Sequence, residues 1–302
     1  MPQSAELARQ CRSCLNPLRI DAHLHTSMSD GKLSVQELLH QCKERNLRCV
    51  AITDHDTVKG VLALSSFEED GMTILPGIEM SSFSETENQI HITGYFPQTA
   101  DFRSIQSYLD GFVRQKRIER CKRILKKLGD AGYVVPYSMI EERTKNCAPS
   151  LPIISDCLIE LGISRDYHDS FDRFLGNTTP FSEPLQLYPL QEAIDFIHSH
   201  HGVAAVAHPW CCSDPMKVCE DAVRMGIDAL ECFPPSDNKD FGTTVYSDFA
   251  KAHHLFCSSG SDYHGIAGMT ATLGENVFPE DMAASFLESM KKHGVINKHG
   301  VV

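Results

Sequence analysis

The sequence predicts an α/β protein in which a parallel sheet closes into a barrel. Three observations support this fold class. Short apolar runs bounded by turn or polar residues recur along the chain, as buried strands do. Stretches with helical period alternate with these runs. The length of 302 residues suits one large α/β domain, and repeated strand–helix units are typical of a barrel with helices around it.

Seven runs have the length and composition of strands. They are residues 18–25, 48–53, 73–80, 89–96, 203–208, 227–232 and 255–260. Residues 35–46 form a predicted helix with Ser34 as N-cap and one apolar face, made by Val35, Leu38, Leu39 and Cys42. Residues 190–200 form another, which Gly202 ends.

Residues 101–189 interrupt the alternation, because they contain several helical stretches and no convincing strand. We therefore predict a discontinuous barrel made of residues 18–100 and 190–302, which carries the active site. The segment 101–189 is the predicted helical insertion, and it would act as a cap over the substrate.

Composition excludes some classes of protein. A formal net charge of -12 disfavours binding to long nucleic acid or to an anionic membrane. No run approaches the ~18 apolar residues of a membrane span, and the N-terminus has no secretory h-region, so a cytoplasmic protein is expected. The twelve cysteines are scattered, as expected of reduced thiols. Cys11 and Cys14 have the spacing of half a zinc knuckle, but no second pair completes it.

Side chains that bind metals follow nearly every predicted strand. In RIDAHLHT, period two places Asp21, His23 and His25 on one face at the end of the first strand. The later strands lead into Asp54, His55, Asp56, Glu79, His91, His208, Asp262 and His264. The active site of such barrels lies at the rim where the strands end, so these residues predict one shared metal site.

This set is too large for one ion. Six histidines, Glu79, Asp262 and Asp30 make nine groups, enough for two or three ions. Imidazole with carboxylate suits Mn²⁺, Fe or Zn²⁺ better than Ca²⁺ or Mg²⁺. Clusters of this kind hydrolyse phosphate esters, because the ions generate hydroxide at neutral pH and stabilise both the attacking and the leaving oxygen. Asp54, Asp56 and His264 are the candidates for the general acid.

These residues together resemble the polymerase and histidinol phosphatase (PHP) family. The matching motifs are Asp21-Ala-His23-Leu-His25, Ser29-Asp30-Gly31, Thr53-Asp54-His55-Asp56, Gly77-Ile-Glu79, His91, Ala207-His208-Pro209 and Gly260-Ser-Asp262-Tyr-His264. The resemblance runs from about residue 18 to 265 and implies a distorted (β/α)7 barrel with a trinuclear centre, for which Mn²⁺ is the expected ion. The implied ligand sets are His23, His25, Glu79 and Asp262; Glu79, His91 and His208; and Asp30, His55 and His264.

Within this family the chain most resembles stand-alone phosphoesterases of small molecules, which carry a helical insertion at this place. Some of them cleave nucleoside 3',5'-bisphosphates, and others open cyclic phosphates of ribose phosphates and then cleave the monoester. In the insertion, VRQKRIERCKRILKK predicts a basic helix with Arg117 and Arg120 one turn apart. We expect both to bind a second phosphate, and a solvated helix face is the alternative.

One departure from the resemblance bears on the substrate. Nucleotide-handling relatives have Arg-Pro-His where this chain has Leu151-Pro152-Ile153. This difference favours a phosphoribosyl cyclic phosphate or a related sugar phosphate. A nucleoside 3',5'-bisphosphate or the 5' end of an oligonucleotide is the alternative substrate.

Other classes of protein fit less well. A metal-dependent amidohydrolase would need a bridging Lys where Glu79 stands, and Asp30, His55 and His264 would be superfluous. A nucleic-acid exonuclease or polymerase accessory domain is disfavoured, because the short acidic chain has no aromatic and basic strand platform. A binding protein without catalysis would have lost ligands, and none is missing. A serine hydrolase needs a Gly-x-Ser-x-Gly elbow, which the serines near residue 260 do not form.

Overall fold

Seven strands form one continuous sheet in the computed structural model, which describes residues 19–145, 147–234, 244–267, 269, 271–274 and 278–296. In spatial order they are β1 (Ile20–Asp21), β2 (Cys49–Ile52), β4 (Met72–Phe83), β5 (Ile90–Tyr95), β7 (Val203–Ala207), β8 (Ala229–Glu231) and β9 (Phe256–Ser258). The short strands β3 (Glu68–Glu69) and β6 (Tyr188–Pro189) pair with β4. All seven predicted strands are present, which confirms the α/β fold. Cys11, Cys14 and the first residue of the predicted strand 18–25 lie outside the described residues.

The prediction of a parallel sheet is wrong at β5. This strand is antiparallel to both of its neighbours, β4 and β7, whereas the other pairs along the main path are parallel. The six residues between β4 and β5 are too few for the crossover helix that a parallel connection needs. Because β5 runs backwards, its second residue, His91, lies beside Ala207 at the rim where the other strands end.

Backbone hydrogen bonds join the first and the last strand. The N–H of Ala22 donates to the carbonyl of Ser259, and the N–H of His25 donates to the carbonyl of Tyr263, each over 3.0 Å. These bonds close the curled sheet into a distorted barrel, so side chains that are far apart in the sequence face one another at the rim.

Helices surround this barrel. They are α1 (Val35–Glu44), α2 (Lys59–Leu62), α7 (Leu190–Ser199), α8 (Pro215–Arg224), α9 (Val245–Ala252) and α10 (Glu280–Lys292). At the start of α1, the side chain of Ser34 accepts from the N–H of Glu37, and the Glu37 carboxylate accepts from the N–H of Ser34. This capping box confirms the predicted N-cap.

Alternate residues of the strands pack into two different cores. In β2, Val50 and Ile52 join the core beneath the surrounding helices, while Cys49 and Ala51 join a second core with α10. The second core combines small strand side chains such as these with larger aliphatic and aromatic ones. Phe286 of α10 is inserted among them and is 1% exposed. Helix α10 therefore packs at the end of the barrel opposite the rim.

The predicted insertion is helical, apart from β6 at its end. It contains α3 (Phe102–Asp130), α4 (Tyr137–Arg143), α5 (Leu151–Glu160) and α6 (Tyr167–Ser170), followed by a π-helical turn at Phe171–Leu175. The first half of α3 packs in the barrel core through residues such as Leu109, and its second half packs in a separate core that includes Leu128. The long helix therefore connects the barrel to a helical layer with its own hydrophobic core.

Among the described residues, no helix combines the length and the apolar character needed to cross a membrane.

Candidate metal centre

The predicted ligands converge at the rim of the barrel. They form three groups, and within each group the potential ligand atoms lie within 4.8 Å of one another. The groups are His23, His25, Glu79 and Asp262; His25, Asp30, His55 and His264; and His55, Glu79 and His91. His208 joins them through Glu79, since its Nε2 lies 2.9 Å from Glu79 Oε1. The first group is identical to a set that the resemblance implies. The second adds His25 to the implied set, and the third has His55 in place of His208.

Glu79 lies at the centre of these groups. It is fully buried in strand β4, and both of its oxygens face imidazole rings. The ring nitrogens lie 2.8–3.2 Å from its carboxylate oxygens and belong to His23, His25, His55, His91 and His208. A single carboxylate in this position can contact more than one ion.

Buried polar atoms without hydrogen-bond partners indicate that the cluster can bind metal ions. Six buried atoms have no hydrogen-bond partner among the described residues: His23 Nε2, His25 Nδ1 and Nε2, His55 Nδ1, Glu79 Oε2 and Asp262 Oδ1. A buried polar atom without a partner costs about 1–3 kcal/mol, so six within one cluster demand an explanation. Divalent cations bound between them would satisfy five of the six, because a neutral His25 has a lone pair on only one of its two ring nitrogens.

The electrostatics of the cluster keep its carboxylates ionised. Burial opposes ionisation of Glu79, but the surrounding His55, His23 and His91 hold its pKa well below the usual range. Burial likewise opposes ionisation of Asp30, while His55 and His264 hold its pKa well below normal. Ionised carboxylates are the form that binds a metal ion.

The cluster opens towards solvent on one side. The side chain of Asp262 is 37% exposed, whereas that of His23 is completely buried. Three residues at the rim have positive φ values: 53° at Asp56, 26° at His208 and 54° at Asp262. This is the left-handed region, which residues other than glycine rarely adopt. Strained conformations of this kind cluster at functional sites.

Glu231 belongs to the site but was not among the predicted residues. It is 1% exposed at the end of β8. Its Oε1 lies 2.9 Å from His23 Nδ1, and its Oε2 accepts the backbone N–H of His208 over 2.6 Å. A sequence signal existed, because Glu231 ends a predicted strand in the same way as Glu79.

Asp54 and Asp56 lie beside the cluster and outside the three ligand groups. The buried Asp54 accepts hydrogen bonds from Thr26 and Ser29, so it anchors the loop that leads to Asp30. Asp56 accepts hydrogen bonds from the backbone and the hydroxyl of Ser81 and forms an ion pair with Arg117. Both carboxylates are therefore engaged in contacts that hold the loops of the site.

A cleft of about 180 Å³ lies over the cluster. One wall consists of cluster residues, namely Asp30, His55, His91, Asp262 and His264. The opposite wall comes from the insertion and includes Arg117, Arg120, Leu151, Pro152, Tyr167 and Phe171. Of the three candidates for the general acid, His264 lines this cleft, whereas Asp54 and Asp56 do not.

The two arginines that were predicted to share one role have different partners. Arg117 Nε donates to Asp56 over 3.1 Å, and its terminal nitrogen donates to the hydroxyl of Ser81 over 3.1 Å. Arg120 donates through Nε to the carbonyl of Glu183 over 2.6 Å. Burial and the nearby Arg117 lower the pKa of Arg120 to about 10, so it stays charged at neutral pH. Among the described residues no carboxylate lies within ion-pair distance of Arg120, although the Glu183 carboxylate is near enough to raise its pKa. Arg120 is therefore a buried cation beside the cleft without a direct ion pair.

Comparisons with known proteins agree with this geometry. The model of the PHP domain matches residues 21–134. The 5'-3' exoribonuclease Rnm of Escherichia coli (strain K12) is 28% identical over 257 residues, which are 81% of this chain and 84% of that protein. The phosphoribosyl 1,2-cyclic phosphate 1,2-diphosphodiesterase of Eggerthella lenta is 26% identical over 261 residues, which are 85% of this chain and 98% of that protein.

A solved structure from Bifidobacterium adolescentis, named as a candidate metal-dependent phosphoesterase, superposes with a TM-score of 0.77 at 24% identity. The superposition covers 93% of this chain and 99% of that one. At this identity, the similarity shows a shared fold.

Proposed function

We propose that this chain, which belongs to the PHP family and is a metal-dependent phosphoester hydrolase, hydrolyses a small phosphorylated metabolite. The best candidate is a phosphoribosyl cyclic phosphate or a related sugar phosphate. The observation that carries the proposal is the cleft of about 180 Å³, which has the ligand cluster on one side and Arg120 on the other. A compact substrate with two anionic groups would contact both walls. The relative that acts on a phosphoribosyl cyclic phosphate supports this choice, because the match spans 98% of its length.

The proposed centre holds three ions, with Mn²⁺ as the first choice and Fe or Zn²⁺ as alternatives. The ligands would be His23, His25, Glu79 and Asp262 for one ion, Glu79, His91 and His208 for another, and Asp30, His55 and His264 for the third. When bound, such ions lower the pKa of water and offset the negative charge that develops on phosphoryl oxygens. If the substrate is a cyclic diester, the same residues would serve the cleavage of the monoester that results.

The protein's own groups have separate proposed roles in this reaction. Arg120 would bind the second anionic group of the substrate, because it lines the cleft and forms no direct ion pair with a carboxylate of the described residues. Of the three candidates for the general acid, His264 lines the cleft, and its ring can serve either as that acid or as a ligand of the third ion, because one nitrogen cannot do both. The insertion would act as a cap and restrict water at the reacting phosphate. The ten described cysteines are free, which is consistent with the cytoplasm as the proposed location.

A second candidate substrate is a nucleoside 3',5'-bisphosphate or the 5' end of an oligonucleotide. The observation in its favour is an aromatic pair in the insertion, Tyr167 and Phe171, whose ring centroids are 4.5 Å apart and which both line the cleft. Aromatic rings in such a position can stack on a nucleobase. The Leu-Pro-Ile stretch at 151–153 remains the argument against this substrate.

A substrate panel tests the choice. Protein loaded with Mn²⁺ would be assayed for kcat/KM on phosphoribosyl 1,2-cyclic phosphate, ribose 5-phosphate, adenosine 3',5'-bisphosphate and a short 5'-phosphorylated RNA. We expect the cyclic phosphate to give the highest kcat/KM, and we expect Tyr167→Leu to change that kcat/KM little. Preference for the nucleotides, together with a loss in Tyr167→Leu, would establish the second candidate instead. Turnover of an amide or amine, with none of a phosphoester, would contradict both.

The number of ions is a separate prediction. Protein purified without chelator and then loaded with Mn²⁺ should contain at least two ions per chain by elemental analysis. Removal of the ions should lower the Tm, because ligands that bind only the folded state stabilise it. Fewer than two ions per chain would rule out a multinuclear centre.

A further inference from the structure

We infer that Glu231 is a positioning residue that holds two of the proposed metal ligands, His23 and His208, from a third strand. The inference rests on the proposed metal-dependent function, because it concerns how the ligands are oriented. The Glu231 carboxylate is almost completely buried, and each of its oxygens has one of these residues as its partner. It is the one buried glutamate besides Glu79 in the described part of the rim.

The contact with His23 determines which ring nitrogen can bind a metal ion. Glu231 Oε1 lies 2.9 Å from His23 Nδ1, while His23 Nε2 faces Glu79 and has no hydrogen-bond partner among the described residues. A neutral imidazole carries one proton, and an ionised carboxylate can only accept one. Glu231 therefore keeps the proton of a neutral His23 on Nδ1 and leaves the lone pair of Nε2 directed into the cluster.

The contact with His208 acts on the backbone. His208 follows β7 with a φ of 26°, a conformation that costs free energy for any residue other than glycine. Its N–H donates to Glu231 Oε2 over 2.6 Å, and this charge-assisted bond stabilises the turn. With the backbone held in this way, His208 Nε2 lies 2.9 Å from Glu79 Oε1.

The two contacts reach opposite sides of the central carboxylate. His23 approaches Glu79 Oε2, and His208 approaches Glu79 Oε1. A change at Glu231 should therefore disturb the ligands of more than one ion, although Glu231 itself lies outside the ligand groups.

Asp228 provides a matched control on the same segment. One of its carboxylate oxygens lies 2.7 Å from His198 Nε2 and accepts the backbone N–H of Ala204 over 2.9 Å. The partners are thus of the same two kinds, a histidine ring and a backbone amide. Neither His198 nor Ala204 belongs to a ligand group, and Asp228 precedes β8 at the opposite end of the barrel.

The test compares Glu231→Gln with Asp228→Asn. A glutamine has one accepting and one donating end, so if its oxygen keeps the bond to His208, its amide group donates to His23 Nδ1. The proton of His23 would then have to move to Nε2, which faces the cluster. We expect Mn²⁺ affinity, measured by chelator competition, to fall by roughly tenfold to a hundredfold in Glu231→Gln, the range for losing a carboxylate behind a metal-bound histidine. The affinity of Asp228→Asn should match the wild type.

A second measurement does not depend on the stability of the variant. In wild-type protein loaded with diamagnetic Zn²⁺, ¹⁵N NMR should place the His23 ring proton on Nδ1. A proton on Nε2 would overturn the inference, as would wild-type affinity in Glu231→Gln or an equal loss in Asp228→Asn. If the wild-type protein binds no divalent ion at all, the proposed function fails. If it binds ions and Glu231→Gln binds them equally well, the role of Glu231 alone fails.

Discussion

Glu79 contacts different histidines with its two oxygens. Oε1 lies near His91 and His208, and Oε2 lies near His23, His25 and His55. A carboxylate with this arrangement can bridge two ions, which a neutral amide of the same shape cannot do equally well. The burial of Glu79 adds to its importance, because no water can replace a lost contact on its buried side.

We predict that Glu79→Gln lowers both metal content and activity. Loss of a bridging ligand that contributes several kcal/mol should reduce kcat/KM by roughly a thousandfold or more. Elemental analysis should show fewer ions per chain than in the wild type. Glu192→Gln, the same change at an exposed position of α7, serves as the control and should have no effect. Activity of Glu79→Gln close to that of the control would exclude a bridging role.

Helix α3 presents two buried arginines to the site on successive turns, and their partners separate their functions. Arg117 is paired with Asp56, the residue after His55, and so connects the insertion to a loop that carries a proposed ligand. Arg120 has only the carbonyl of Glu183 as a hydrogen-bond partner within the described residues. The helix therefore contributes one arginine to the support of the site and one to the proposed anion contact.

Substitution by alanine should distinguish these two roles. Arg120→Ala is expected to lower kcat/KM for a substrate with two anionic groups by roughly tenfold to a thousandfold, since a charge-assisted contact of ~1.5–3 kcal/mol is lost. It should scarcely change turnover of a simple aryl phosphate. Arg117→Ala should reduce turnover of both substrates, because it releases Asp56. Arg103→Ala, at an exposed position of the same helix, is the control. If Arg120→Ala reduced both substrates equally, the proposed anion contact would be wrong.

The molecule as a whole depends on α10 to fill the end of the barrel opposite the site. The aromatic ring of Phe286 meets Tyr95 at a centroid distance of 5.8 Å and lies in the core that α10 shares with the strands. Close-packed neighbours relax only partly into the space that a removed ring leaves. The stability of the barrel, and with it the closure of the rim, should therefore depend on this one helix.

We predict that Phe286→Ala destabilises the fold by about 3–5 kcal/mol, the range for removing a buried phenylalanine. The free energy of unfolding in urea would measure the loss, provided that the transition remains two-state. Phe112→Ala is the matched control, because Phe112 is 39% exposed and its removal leaves little cavity. A loss no larger than in the control would show that α10 is not needed to complete the core.

Local patterns in the sequence were sufficient to predict the strands and to predict that the nine proposed ligands lie close together. Period two places His23 and His25 on one face, and the position of Glu79 within its strand predicts that it points to the rim. Both features depend only on neighbouring residues and on the rule that barrel strands end at a common rim. The roles of these residues as ligands remain a proposal for the metal measurements to test.

The tertiary structure decided the features that depend on distant partners. Glu231 meets His23 across 208 residues of sequence, and Arg117 meets Asp56 across 61, so no local pattern could reveal either contact. The direction of β5 was also hidden, because a strand has the same period whichever way it runs. The sequence by itself therefore determined which side chains lie at the rim. Only the closed barrel decided which of them face the cluster and which hold others in place, because that depends on chain closure between segments far apart in sequence.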